Sequence, residues 1–162
     1  MTSIISEIKN LSGNTKGIFF LLFFRTSAYI AKRKLLRILF FWFRVLYKFI
    51  IQWNLGIDIP DTVKIGKNFR VYHGMGLVIH ENTVIGEHVT LRHNTTIGLK
   101  KENGKAPLIG NNVDIGANAV IIGEIKIGDN SIVAAGSVVI SDIPSNVIVA
   151  GNPARIVKEL CV

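Results

Sequence analysis

Residues 109–139 read IGNNVDIGANAVIIGEIKIGDNSIVAAGSVV, and an aliphatic residue returns at every sixth place: Ile109, Ile115, Ile121, Ile127, Val133 and Val139. The same frame runs upstream through Ile59, Ile65 and Val71, and then through Ile79, Ile85, Leu91 and Ile97. Glycine follows directly at Gly66, Gly86, Gly98, Gly110, Gly116 and Gly128. A hexapeptide period is the signature of a parallel β-helix. Three six-residue sides make a triangular coil of about 18 residues, and stacked coils bury their inward aliphatics as one column. Glycine is expected at the corners for its freedom of backbone dihedral. A hexapeptide coil winds left-handed, against the usual right-handed crossover preference. The reading is therefore mainly β, a left-handed parallel β-helix of about five coils, preceded by short N-terminal α-helices.

The frame breaks twice, and breaks in a solenoid are where loops and sites sit. Two extra residues fall within Gly74–Val78, and a polar stretch with three lysines, LKKENGKAPL, interrupts it at 99–108. The second is expected to be an extruded loop. The tail from Gly151, GNPARIVKEL, is expected to cap the column as a short helix, giving a cap over 151–162.

The chain has 162 residues, 49% hydrophobic, 19% charged, with a net charge of +8. That much apolar surface excludes a disordered or solvating tail. A single cysteine, Cys161, excludes an internal disulfide or a cysteine-rich zinc module and points to a reducing cytoplasm. Residues 1–56 hold nine of the Lys/Arg against one acid, Glu7, whereas 57–162 hold ten of each sign. The chain therefore divides into a basic, aromatic-rich helical segment, 1–56, and the β-helix, 57–162. Neither GIFFLLFF (17–24) nor LLRILFFWFRVLYKFIIQW (35–53) reaches the roughly 20 apolar residues that cross a bilayer. At helical spacing Arg33, Arg37, Arg44 and Lys48 share one narrow stripe. Such a stripe fits peripheral contact of residues 17–53 with an anionic membrane face. It fits better the solvated side of a helix packed on the β-helix or on a sister subunit. The basic residues are not interleaved with a nucleic-acid-binding module, so no nucleic acid is expected.

All four histidines, His73, His80, His88 and His93, lie within 21 residues. His73 and His93 hold the same place in their hexapeptides, one coil plus the insertion apart, and should stack on one edge. A neutral imidazole suits removal of a hydroxyl proton near pH 7. Its second nitrogen needs an orienting acceptor, and Asp58 is the nearest candidate. His80 and His88 read as surface residues.

Asp58-Ile59-Pro60, YHGMGLVIHENTVIG, TIGL, AGSVVISDIP and AGNPARIVK together resemble the serine acetyltransferase branch of the hexapeptide-repeat acyltransferases. The likeness covers roughly 20–160 and is strongest to shorter relatives of the exopolysaccharide, colanic-acid type. It implies an acetyl-coenzyme A-dependent O-acetyltransferase, acting as a homotrimer, without metal. The resemblance places the catalytic histidine and its aspartate on His73 and Asp58, and the turn lining the thioester carbonyl on Gly98 and Leu99. Coenzyme A would lie in a groove between subunits, near Ala135, Gly136 and Arg155, with Lys158 in reach of a phosphate.

The departures bear on the acceptor. The family places an aspartate before the catalytic histidine to hold the serine amino group; here stands Tyr72. Its Arg-His pair for the carboxylate is replaced by Lys105-Ala106 before Pro107, in a shorter loop. A small zwitterion is recognised mainly through its two charges, so serine fits poorly. A carbohydrate hydroxyl presents neutral polar edges that Tyr72, His93, Asn94 and Lys105 can meet. The expected function is acetylation of a carbohydrate hydroxyl in polysaccharide assembly, lipid-linked where the helices contact the inner membrane face. The alternatives are serine as acceptor, a zinc carbonic anhydrase using His73, His88 and His93, and a non-enzymatic membrane-bound trimer.

Overall fold

The computed structural model describes residues 4–160 apart from 10 and 12; Cys161 lies outside the described residues. The chain from Ile57 winds through three parallel faces. Face one stacks Ile57–Asp58, Leu77–Ile79, Thr96–Gly98, Val120–Ile122 and Val138–Val139 in that order. Face two stacks Lys64–Ile65, Val84–Ile85, Leu108–Ile109 and Lys126–Ile127. Face three stacks Arg70–Tyr72, Thr90–Arg92, Asp114–Ile115, Ile132–Val133 and Val147–Gly151. Five coils of a left-handed β-helix result.

The register reports each insertion directly. Val78 aligns with Thr96, and Val120 with Val138, eighteen residues on. Asp58 aligns with Val78 after twenty, and Thr96 with Val120 after twenty-four, where the loop leaves the column. Of the thirteen periodic aliphatics, all except the partly buried Ile65 lie in the core.

The corners are built differently from the expectation. Left-handed backbone there belongs chiefly to asparagine: Asn68, Asn112, Asn130 and Asn146 on one edge, Asn94 and Asn118 on another, all with φ between 54° and 61°. Asparagine tolerates this region, and its side chain bridges to the next coil. Asn112 Nδ2 donates to Asn130 Oδ1 at 3.0 Å, and Asn130 Nδ2 to Asn146 Oδ1 at 2.8 Å. Apart from Gly98, the periodic glycines serve close approach between coils instead. A Cβ on Gly66 would stand 2.5 Å from the Gly86 carbonyl oxygen, and one on Gly86 the same distance from that of Gly110.

The expected C-terminal helix is a strand. Ala154–Glu159 turns back at Gly151, whose φ of 103° suits glycine, and pairs antiparallel with Val147–Gly151. β-branched Ile156 and Val157 favour extended backbone, and the pairing covers the open edge of face three.

Among the described residues four α-helices precede the β-helix: α1 (Ile4–Lys9), α2 (Thr15–Ala31), α3 (Lys34–Leu39) and α4 (Phe41–Tyr47), the last running into a π-helical turn, Lys48–Asn54. No helix among the described residues is long and apolar enough to cross a membrane. Phe20, Phe24 and Ala28 of α2, with Tyr47 and Ile51, join the same core as Phe69 and Val71. Polar ties fix this seam. Asn14 caps α2 by accepting from the Gly17 N–H and donates to the Val71 carbonyl at 2.6 Å. Buried Glu7 pairs with Arg25, whose guanidinium also reaches the Ile65 and Gly66 carbonyls. Asp61 accepts from Ser27 Oγ at 2.6 Å and from Arg44 Nε and Nη2 at 2.7 and 2.9 Å.

That last pair corrects the basic stripe. The helix breaks at Phe40 (φ −114°, ψ 30°), and Arg44 turns inward to Asp61, away from Arg33 and Arg37. Packing on the β-helix thus accounts for α2 and for the Arg44–Tyr47 side of α4. Most of α3 and the other side of α4 remain exposed.

Candidate active site

His73 leaves the end of Arg70–Tyr72 at the corner between faces three and one. Two inserted residues bulge the chain there, and the Met75 N–H folds back onto the His73 carbonyl. His73 itself takes φ 58°, a conformation uncommon for a side chain of its size, and stands exposed. Tyr72 is in register with Arg92, so His93 falls beside His73 in the next coil. Their ring centroids are 6.3 Å apart at 78°, as the hexapeptide spacing predicts. The His93 Nδ1 is buried without a hydrogen-bond partner among the described residues.

This edge continues up the column. The Asn94 N–H donates to the Met75 carbonyl at 2.9 Å, the Asn118 N–H to that of His93 at 3.1 Å, and the Gly136 N–H to that of Ala117 at 2.8 Å. Asn94 Nδ2 also donates to Asn118 Oδ1 at 3.1 Å. The Gly151–Ala154 turn closes the same edge at the top. His73, His93, Asn94, Ala135 and Gly136 therefore lie in one row, with Arg155 just past its end. Ala135 and Gly136 are exposed, and a Cβ on Gly136 would meet nothing within 4 Å. Arg155 donates to the neighbouring Ala154 carbonyl at 2.9 Å, and Lys158 is exposed on the terminal strand.

Asp58 and Gly98 are brought together elsewhere. Asp58, Val78, His80, Thr96 and Gly98 line a groove of about 370 Å³ on face one. A Cβ on Gly98 would meet nothing within 4 Å, and Leu99 follows it, half-buried, at the base of the loop. Asp58 accepts a hydrogen bond from Gln52 Nε2 at 3.0 Å, and none joins it to His73 among the described residues. His73 instead lines a smaller cavity with Leu55, Ile57 and Met75. In the single chain the histidine row and the Asp58–Gly98 groove thus border face one from different sides.

Lys105 in the loop is bonded to Glu124 at 2.6 Å, and this hydrogen bond holds its ammonium above the usual lysine range. Tyr72 is half-buried and in register with Arg92, which makes a paired contact with Asp114. That ion pair raises the Arg92 guanidinium still further and pins the residue before His93.

His80 and His88 both reach the surface as expected; His80 is partly buried and lines the Asp58 groove, its Nδ1 accepting from the Asn82 N–H at 3.2 Å. Its place after an inward Ile79 at the end of a face-one strand is the signal that marks it. His88, with φ 59°, fills an asparagine rung beside Asn68 at 3.3 Å, on the edge between faces two and three. Within one chain it stands on a different edge from His73 and His93. No group of three metal-ligating side chains occurs among the described residues.

Comparison with known proteins bears on this geometry. Residues 106–141 match the bacterial transferase hexapeptide (six repeats) family. WcaB of Escherichia coli K12, a protein that carries the name of a colanic acid biosynthesis acetyltransferase, is 42% identical over 113 residues, 69% of this chain and 70% of its own. Serine acetyltransferase 4 of Arabidopsis thaliana is 47% identical over 104 residues, 63% of this chain and 29% of its own. The serine acetyltransferase of Brucella abortus, crystallised with coenzyme A, superposes with a TM-score of 0.82 at 28% identity, covering 98% of this chain and 67% of that one. The chain belongs to the hexapeptide-repeat acyltransferases, on the serine acetyltransferase branch, and is an acetyltransferase.

Proposed function

We propose that the protein moves acetyl from acetyl-coenzyme A to a carbohydrate hydroxyl, in a homotrimer at the cytoplasmic membrane face, during polysaccharide assembly. The β-helix from residue 57 carries the chemistry, and residues 1–56 form its helical base. His73 takes the hydroxyl proton while the oxygen attacks the thioester carbonyl, and returns that proton to the departing thiolate. Asp58 orients the imidazole once Gln52 releases its carboxylate. Backbone N–H groups at Gly98 and Leu99 meet the charge that develops on the carbonyl oxygen. Direct transfer is favoured because no cysteine or serine adjoins His73 in the chain. The donor lies along the row from His73 to Gly136 and ends near Arg155 and Lys158. Assembly as a trimer sets one subunit's histidine row against the next subunit's loop and Gly98.

One observation carries the choice of acceptor. The neutral Tyr72 precedes His73, and Lys105 is already neutralised by Glu124, so the acceptor end offers no free pair of opposite charges. His93 and Asn94 present neutral polar edges beside it. The likeness to WcaB supports the same reading, while that to the serine acetyltransferases keeps serine as the second one.

Thiol release from acetyl-coenzyme A, assayed with undecaprenyl-linked glycans, free sugars and L-serine, separates the two. Turnover with a glycan at least about a hundredfold above that with serine is expected, the scale on which a site rejects a substrate whose polar groups it leaves unpaired. Efficient turnover of serine would overturn the acceptor assignment. Gly98→Val probes the donor side, because its Cβ has open space and the fold should not notice it. The expected result is a KM for acetyl-coenzyme A raised about tenfold, the 1–3 kcal/mol scale of misplaced packing, at an unchanged Tm. An unchanged KM would remove Gly98 from the donor site.

A further inference from the structure

We infer that the outward side of α3, α4 and the π-helical turn docks on an anionic phospholipid surface, with aromatic side chains entering the headgroup layer. Leu35, Ile38, Phe41, Trp42, Phe49 and Trp53 are all exposed there, Leu35 to 68%, Phe41 to 64% and Trp53 to 80%. Large apolar side chains exposed on successive helices in this number mark an interaction site. With them go the exposed cations Lys32, Arg33, Lys34 and Arg37, whereas Lys48 lies on the Asp61 side. No aspartate or glutamate occurs in the sequence between Glu7 and Asp58.

Charge selects the occupant. A second copy would set the same cations against each other, whereas anionic headgroups complement them and apolar side chains enter below. No helix among the described residues is long and apolar enough to span, and the proposed contact lies along the surface. Arg44 takes no part, being committed to Asp61. The dock adjoins the proposed site, since Gln52, next to Trp53, holds Asp58. The inference is nonetheless separate from the acetyl-transfer reading, because lipid binding alone reads it.

The test uses the full chain and its own fluorescence, as both tryptophans, Trp42 and Trp53, sit on this face. Vesicles of phosphatidylcholine with phosphatidylglycerol are expected to sediment the protein and shift its emission to the blue, and phosphatidylcholine alone to do neither. Lys32→Gln/Lys34→Gln/Arg37→Gln should weaken binding about tenfold or more, and added salt should do the same. Leu39→Gln/Phe41→Gln should abolish the blue shift. All five positions are exposed, and the thermal midpoint of each variant checks its fold. If a variant fails to fold, the salt and phosphatidylglycerol dependence of the parent decides. Binding indifferent to phosphatidylglycerol overturns the proposal. So does emission already blue-shifted in buffer, in assemblies larger than a trimer that Leu39→Gln/Phe41→Gln disperses. Displacement by duplex RNA at equal phosphate concentration also overturns it.

Discussion

Replacing His73 by asparagine is expected to lower kcat for acetyl transfer by about 10²- to 10⁴-fold, the range of a lost general base, with little change in Tm. Asparagine is the right replacement for a reason the corners supply. Among the described residues eight non-glycine positions hold positive φ, and six of them are asparagine. The His73 backbone, at φ 58°, is therefore one that asparagine adopts elsewhere in this molecule at almost the same angle. Alanine would remove the base too but add a left-handed strain of about 1 kcal/mol, confusing activity with stability. His88→Asn supplies the control, making the same chemical change at a corner with φ 59° on a different edge. It should leave both kcat and Tm near the parent values. Activity of His73→Asn within tenfold of the parent, measured by thiol release, would remove His73 from its role.

His93 shares the edge but not the conformation, and its buried, unpartnered Nδ1 suits a residue that positions His73 or the acceptor. The two histidines were legible because register is arithmetic. Once a coil is known to be eighteen residues and the insertion two, His73 and His93 must stack. The inward column was legible for the same reason, each rung repeating one local pattern. The corners were not, because an Asn ladder and a glycine ladder both fit a break every six residues. What decides between them is contact with the next coil, which a single hexapeptide does not contain. The terminal strand was missed because an open edge on face three, not local propensity, recruits Ala154–Glu159. Arg44 was misread because its partner, Asp61, lies seventeen residues away across a seam between two structures. Asp58 sits on face one with Gln52, on its own side of a groove that the proposed trimer would complete.

Removing that seam's central carboxylate, as Asp61→Ala, is expected to cost about 2–4 kcal/mol. A fully buried pair broken on one side costs about 3–5 kcal/mol, and here Arg44 keeps some access to water, which softens the loss. For a chain of this length, that corresponds to a fall in Tm of roughly 4–16 °C. Asp61 is only 6% exposed, and burial by itself would push its carboxyl up. Hydrogen bonds from Arg44 and Ser27, with the Arg44 and Lys48 charges, outweigh burial and hold it below the usual carboxylate range. A depressed folded-state value fixes the sign: the stabilisation is complete above the unfolded carboxyl value near 3.9 and is lost as pH falls through the folded one. Urea unfolding of the parent should therefore lose stability steeply in the acid range, and Asp61→Ala should lose less there. Arg44→Ala and the double variant complete a cycle, in which a coupling of about 1–3 kcal/mol is expected. A coupling near zero, or identical acid slopes in parent and variant, would mean that the aromatic contacts of Phe20, Phe24 and Tyr47 hold the helices to the β-helix unaided. The seam would then be an apolar joint, and α2 and α4 would stay aligned with the β-helix whatever the charge on Asp61.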